Sequence, residues 1–184
     1  GNTLQLEDPL IWNFSLNPRF KIETARGMRW SGIEDMTITG GPAYIGTMIQ
    51  FWNTYATWIK NVDMSGGSGN SYVQLFRSLR NEIRDCYIHD TYSTTDGYGI
   101  LTVFGWSSDR AGATGTLIEN NVFKSLWYAR VLETEVGSVI SYNYALANRL
   151  VFWPNYQVPD MNANHAAHGM MMLFEGNLSV GFQN

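Results

Sequence analysis

Two stretches of this chain concentrate the side chains that could do chemistry. The first reads His89-Asp90-Thr91-Tyr92-Ser93-Thr94-Thr95-Asp96-Gly97-Tyr98 and is followed by Gly105-Trp106-Ser107-Ser108-Asp109-Arg110. Asp90 and Asp96 are carboxylates that can accept sugar hydroxyls or work as an acid and base pair, and His89 is a second proton carrier. Tyr92, Tyr98 and Trp106 offer flat apolar faces for pyranose rings. The same stretch also reads as a polar surface loop built on Ser, Thr and Gly turns. Six residues of loop fix no carboxylate separation, so inverting and retaining hydrolysis stay equally open.

The second stretch holds Trp153-Pro154-Asn155-Tyr156, Asp160 and His165-Ala166-Ala167-His168-Gly169. On a helix His165 and His168 would share one face and could share a metal or phosphate; on a strand they face opposite sides. Metal binding needs a third ligand, for which His89, Asp160 and Glu175 are equivalent, so no metal set is assigned. His168 reads otherwise as an acid-base residue or a hydrogen-bonded structural one. Trp127 and Trp153 join Trp106 as surface aromatics, while Trp30 and Trp58 flank or pack on the repeat described below. A third group, Arg77, Arg80, Arg84, Arg130, Glu133 and Glu135, is expected along one flank, as a basic site or as ion pairs on a solvated face.

The elements that position these residues follow from composition and period. The chain has 184 residues, 45% hydrophobic and only 15% charged, enough for one well-buried domain and far from the profile of a disordered polyelectrolyte. A net charge of −4 leaves no electrostatic footprint for nucleic acid, and no apolar run approaches the ~18 residues of a membrane span. No basic patch and apolar core open the chain, so a secretory leader is read as absent or already removed. Cys86 stands alone and forms no disulfide framework. The chain is rich in aromatics, with 18 Gly and 16 Asn, residue types of strands and of tight left-handed turns.

A six-residue unit recurs: Ile33-Glu34-Asp35-Met36-Thr37-Ile38, Ile59-Lys60-Asn61-Val62-Asp63-Met64, Ile83-Arg84-Asp85-Cys86-Tyr87-Ile88 and Ile118-Glu119-Asn120-Asn121-Val122-Phe123, with looser copies at Ile140 and Phe174. First positions are 26, 24, 35, 22 and 34 residues apart, a period near 24 with about ten residues inserted twice. Positions one, four and six are mostly apolar, and position three is Asp, Asn, Asp, Asn, Tyr and Gly in order. That pattern predicts strand, one-residue left-handed bend, strand. Asn121, Asn143 and Asn177 at position four predict an internal column of side-chain amides. At position two, Glu34, Lys60, Arg84, Glu119, Ser141 and Glu175 are expected to climb the surface, with Glu34 beside Lys60 and Arg84 beside Glu119 as pairs of opposite charge. Second strand-like runs are expected at Tyr44 to Trp52, Tyr72 to Leu79, Tyr98 to Phe104, Trp127 to Glu133 and Met170 to Phe174. One turn of a coil per period requires a parallel β-solenoid.

The series Ile-Arg-Asp-Cys-Tyr-Ile, Ile-Glu-Asn-Asn-Val-Phe and Ile-Ser-Tyr-Asn-Tyr-Ala resembles right-handed parallel β-helix proteins of the pectate-lyase-like superfamily, over residues 30 to 184. The expected fold is all-β, a right-handed parallel β-helix of about six rungs with two inserted loops, preceded by a lead-in segment, residues 1 to 29, and belonging to a longer chain. The resemblance implies an extracellular or cell-surface protein that binds or cleaves polysaccharide, as a lyase or glycoside hydrolase. It also implies that Arg77 or Arg130 meets an acidic sugar, and calcium as the cofactor of the lyase form. Neither the clustered Asp of a calcium site nor an Asn-Thr-Asp, Asp-Asp, Gly-His-Gly and Arg-Ile-Lys series of hydrolase type is present. The alternative is a non-catalytic solenoid, an adhesin, filament or fibre unit that self-associates.

Overall fold

Left-handed residues at fixed intervals turn this chain into a coil. The computed structural model describes residues 27–43, 46–93, 97–102, 112–133, 135–146, 160–163, 169–179 and 181–183. Every bend position of the repeat has positive φ: Asp35, Asn61, Asp85, Asn120, Tyr142 and Gly176, between 50° and 61°. A second set, three residues before each first position, does the same at Trp30, Ala56, Arg80, Gly115, Gly137 and Met171. Such residues redirect a strand without breaking its hydrogen-bonding ladder for long.

The strands follow rung by rung. Rung one holds β1 (Gly32–Thr39) and β2 (Ile49–Trp52), and rung two holds β3 (Trp58–Ser65) and β4 (Ser71–Phe76). Rung three holds β5 (Ser78–Leu79), β6 (Glu82–Arg84), β7 (Tyr87–His89) and β8 (Tyr98–Thr102). Rung four holds β9 (Ala113–Thr114), β10 (Leu117–Glu119), β11 (Val122–Lys124) and β12 (Arg130–Leu132). Rung five holds β13 (Val139–Ser141), β14 (Tyr144–Leu146) and β15 (Met161–Asn162), and rung six holds β16 (Leu173–Glu175) and β17 (Phe182–Gln183). There is no helix among the described residues.

All pairing is parallel. The repeat builds a nine-stranded sheet bent at position three, the second runs build a six-stranded sheet, and β5 with β9 forms a narrow third face. That third face is extended by single bridges from Arg29 through Tyr55, Leu79, Thr114 and Val136 to Met170. The register is the one the repeat predicts: Ile33, Ile59, Ile83, Ile118, Ile140 and Phe174 lie directly over one another. The molecule is therefore a parallel β-helix. Ile59, Ile83, Ile118 and Ile140 are fully buried beside Leu75, Ile100 and Leu132 of the other sheet. Each buried side chain of this size contributes about 1.5–3 kcal/mol.

The amide column forms as read. Asn121 Nδ2 donates to Asn143 Oδ1 and Asn143 Nδ2 to Asn177 Oδ1, both at 2.9 Å. The same amides also donate to the Ile83, Ile118 and Ile140 carbonyls. A companion column was not expected. Two residues before each first position stand Ser31, Thr57, Asn81, Thr116 and Ser138, and Thr57 Oγ1 donates to Asn81 Oδ1 at 2.8 Å.

Three expectations are corrected. His89 does not open a loop but ends β7, and Tyr98 begins β8, so most of the extra length of the first insertion lies between β8 and β9. Met170 belongs to the third face and Leu173–Phe174 to the repeat sheet, so the run from Met170 to Phe174 is no member of the second sheet. Arg84, at the outward second position, pairs within its own rung with Glu82 and Asp85, at 3.3 and 3.0 Å, and not across to Glu119.

Candidate functional site

The bend that turns the repeat sheet leaves a concavity on its outer side. Over the first three rungs this is an open groove of about 550 Å³, walled by Asp35, Asn61, Asp63, Asp85 and Tyr87 and floored in part by Met36 and Val62. Its polar side chains are laced across rungs. Asn61 Nδ2 donates to Asp35 Oδ1 at 2.7 Å, and Asn120 Nδ2 to Asp85 Oδ1 at 2.8 Å. Arg84 holds the other oxygen of Asp85. Asp63 lies one rung below Tyr87 in register.

His89 stands at the edge of this groove, with its ring stacked on Tyr87 at 3.9 Å between centroids. Its two nitrogens face two carboxylates: Nε2 lies 3.0 Å from Asp63 Oδ1 and Nδ1 lies 2.7 Å from Asp90 Oδ2. An imidazole carrying both protons donates to both; a neutral one donates to only one at a time. The bond from His89, assisted by the charge of His89 and Lys124 and by a Ser125 hydrogen bond, holds the Asp90 carboxyl below its ordinary pKa, against a smaller desolvation effect. The backbone beneath is pinned from inside. The Tyr72 hydroxyl donates to the His89 carbonyl at 2.7 Å and accepts from the Gly67 N–H at 3.0 Å. Burial pushes its pKa up to about 12, so this phenol stays a donor throughout the physiological range.

The structure thus brings together His89 and Asp90 from the sequence reading and adds Asp63, Asp85 and Tyr87, which that reading left as repeat positions. Asp63 carried a signal: it occupies the fifth, outward position, where apolar Val122 and Leu178 stand in other copies.

Other candidates lie elsewhere. Tyr98 and Trp127 stack on each other, with centroids 5.4 Å apart and planes 16° apart, and Tyr128 joins them. Tyr92 is exposed, its N–H bonded to the Gly67 carbonyl at 2.7 Å. Arg77 sits in a left-handed corner with its guanidinium 5.9 Å from the Trp52 ring centroid. Asp96, Trp106, Trp153, His165 and His168 fall outside the described residues.

Arg130 and Glu135 are corrected outright: both are fully buried, and neither lies on a solvated flank. Arg130 is in phase with inward Ile100 and Val73, so it points into the coil, where Nη1 donates to Asn177 Oδ1 at 3.3 Å and the guanidinium lies over Phe123. Burial lowers its pKa to about 10, partly offset by Asp160, so it remains a cation that no surface ligand can touch. Glu135 takes a short hydrogen bond from the Ser138 hydroxyl, and burial raises its pKa. The Thr116 and Thr102 hydroxyls lie near enough to favour the ionised form slightly, yet neither closes a hydrogen bond to the second carboxyl oxygen.

Calcium does not fit what is described. No three His, Cys, Asp or Glu side chains converge as a metal shell among the described residues. Comparison with known proteins supplies no relative: no family model, no curated protein and no solved structure matches this chain.

Proposed function

We propose that this β-helix is an extracellular or cell-surface polysaccharide-binding protein of pectate-lyase-like type that cleaves its glycan as a glycoside hydrolase. The observation that carries the reading is the open groove that Asp63, Asp85 and Tyr87 line together, with His89 hydrogen-bonded to Asp63. The form proposed is the inverting one, in which two carboxyl groups about 6.5–9.5 Å apart leave room for a water. Asp63, hydrogen-bonded to His89, is assigned as the general acid. Asp85, held by Arg84 and Asn120, is the base that activates water. Tyr87 supports a sugar ring.

A lyase acting on uronates is the less favoured form of this reading, because it needs cationic charge beside the sugar carboxylate. Arg84 is bound to Glu82 and Asp85, Arg130 is interior, and the groove walls are acidic. The non-catalytic rod is supported by a different observation: among the described residues β1 and β16 each pair on one side only, and large apolar side chains such as Trp30 and Leu173 are exposed near them. Such edges can take a further rung, from the rest of a longer chain or from another copy.

Incubation with neutral and acidic polysaccharides, followed by assays for new reducing ends and for unsaturated-uronate absorbance, tests the choice. The expected result is reducing ends from a neutral glycan, with D63N and D85N each lowering the rate by about 10²–10⁴. Unsaturated product would favour the lyase, and absence of any product together with rods or fibres in negative stain would favour the structural reading.

A further inference from the structure

Beyond the groove, the outer face of the repeat sheet changes character. The fifth-position column runs Asp63, Tyr87, Val122, Tyr144 and Leu178, one residue per rung and in register. From Val122 onward it is apolar and exposed: Val122 37%, Tyr144 36% and Leu178 62% of their surface. Leu146, two residues along from Tyr144, widens the same face. Interior-facing positions of these rungs are filled by Phe123 and Ala145, so this stripe takes no part in the core.

We propose that the stripe is a glycan-binding rail: a neutral, extended polysaccharide lies along the coil axis with its ring faces on Tyr87, Val122, Tyr144 and Leu178, and enters the groove at Asp63. The inference rests on the hydrolase reading and adds to it the substrate class and the direction of the chain. Three features select this occupant. Rungs repeat every ~4.8 Å, close to the advance of one pyranose in an extended chain, so successive rings meet successive side chains of the column. The two tyrosines are two rungs apart, about 10 Å, so alternate rings of a chain with a flat repeat present the same face to each. The charges fit a neutral polymer: the fifth-position column carries no cation, its groove end carries Asp35, Asp63 and Asp85, and Lys124 beside it, in register with His89 and Leu146, lies close enough to the Asp90 carboxylate to lower its pKa. A polyuronate would bring its carboxylates against these carboxylates, whereas a neutral chain brings only hydroxyls, which the carboxylates accept. From Asp63 to Leu178 the column spans four rung steps, about 19 Å, and accommodates about five rings.

The test is titration calorimetry of the purified protein, with D63N used where cleavage interferes. The probes are neutral oligosaccharides of two to seven rings from β-linked glucan, mannan and xylan, and oligogalacturonate. Binding of one neutral series is expected, rising with length and levelling at about five rings, with oligogalacturonate weaker. Y144A and L178S are each expected to weaken the long oligomers about tenfold, about 1.4 kcal/mol, while leaving a disaccharide unchanged. Y144F is expected to bind normally and guards against reading a folding defect as lost binding. If the long oligomers bind and are cleaved in a D63N-sensitive way, yet Y144A and L178S bind them as well as the parent, the rail is wrong and the hydrolase reading survives. If no glycan binds or is cleaved, both fall. A dimer in light scattering that Y144A dissolves, without glycan binding, makes the stripe an interface between copies and also overturns the rail.

Discussion

Glu135 is the residue whose surroundings make the sharpest demand. A carboxyl buried among the Ser138, Thr116 and Thr102 hydroxyls, with one oxygen lacking a hydrogen bond, is more comfortable neutral than ionised, because no water solvates the charge. Its folded-state pKa is raised, so the stability it contributes is fully present below the ordinary carboxylate pKa and is lost as pH rises through the folded value. E135Q, which keeps the shape and removes the titration, is therefore expected to melt higher than the parent at pH 7–8, with the gap closing toward pH 4. Thermal melts across that range decide it; a gap that widens on acidification would mean that Glu135 is ionised in the fold. Asp90 works in the opposite sense. Its pKa is held down by His89, so what it contributes is present at neutral pH and fades as acid protonates it. Neither residue announced its state: a lone Glu in a run of mixed polarity reads as a surface charge, and only the closing of the coil over it removes the water.

Among the elements, the amide column is where local pattern and tertiary packing agree most closely. Asn143 sits between Asn121 and Asn177, and its Oδ1 takes both the backbone N–H and the side-chain amide of Asn121. Its Nδ2 donates to the Ile118 carbonyl, the Ser141 carbonyl and Asn177 Oδ1. Asn143→Ala leaves buried donors and acceptors of three neighbouring rungs unmet and is expected to cost about 2–4 kcal/mol, read as a shift of the denaturant midpoint at unchanged slope. A loss below about 0.5 kcal/mol would mean that the column is ornamental to stability. The bends were equally legible, because Asp, Asn and Gly accept φ near +55° at little cost and recur at one position. Trp30, Ala56, Arg80 and Met171 share that conformation in the other corner without being residue types that favour it. No composition signal marks them. What marks the corner is the Ser, Thr or Asn that follows Trp30, Ala56, Arg80, Gly115 and Gly137, a signal that periodic reading of apolar residues passes over.

At the scale of the whole molecule, each rung touches only its neighbours, so stability is approximately a sum of rung and interface contributions. Amide hydrogen exchange is expected to be slowest in β6, β10 and β13, whose Ile83, Ile118 and Ile140 are fully buried, and faster in β16, where Leu173 is half exposed. Uniform protection from end to end would instead show one cooperative block. The sequence by itself determined the architecture, because a coil that closes every two dozen residues writes its period, its alternation and its left-handed bends into residue types that are read locally. It could not determine the site. Asp63, His89 and Asp90 meet only because successive turns stack at about 4.8 Å and set side chains 26 residues apart within a hydrogen bond. The same stacking drew Arg130 inward and turned Tyr98 against Trp127. Which side chain lies beside which across rungs is decided by how the coil closes, and that closure is a property of all three faces at once.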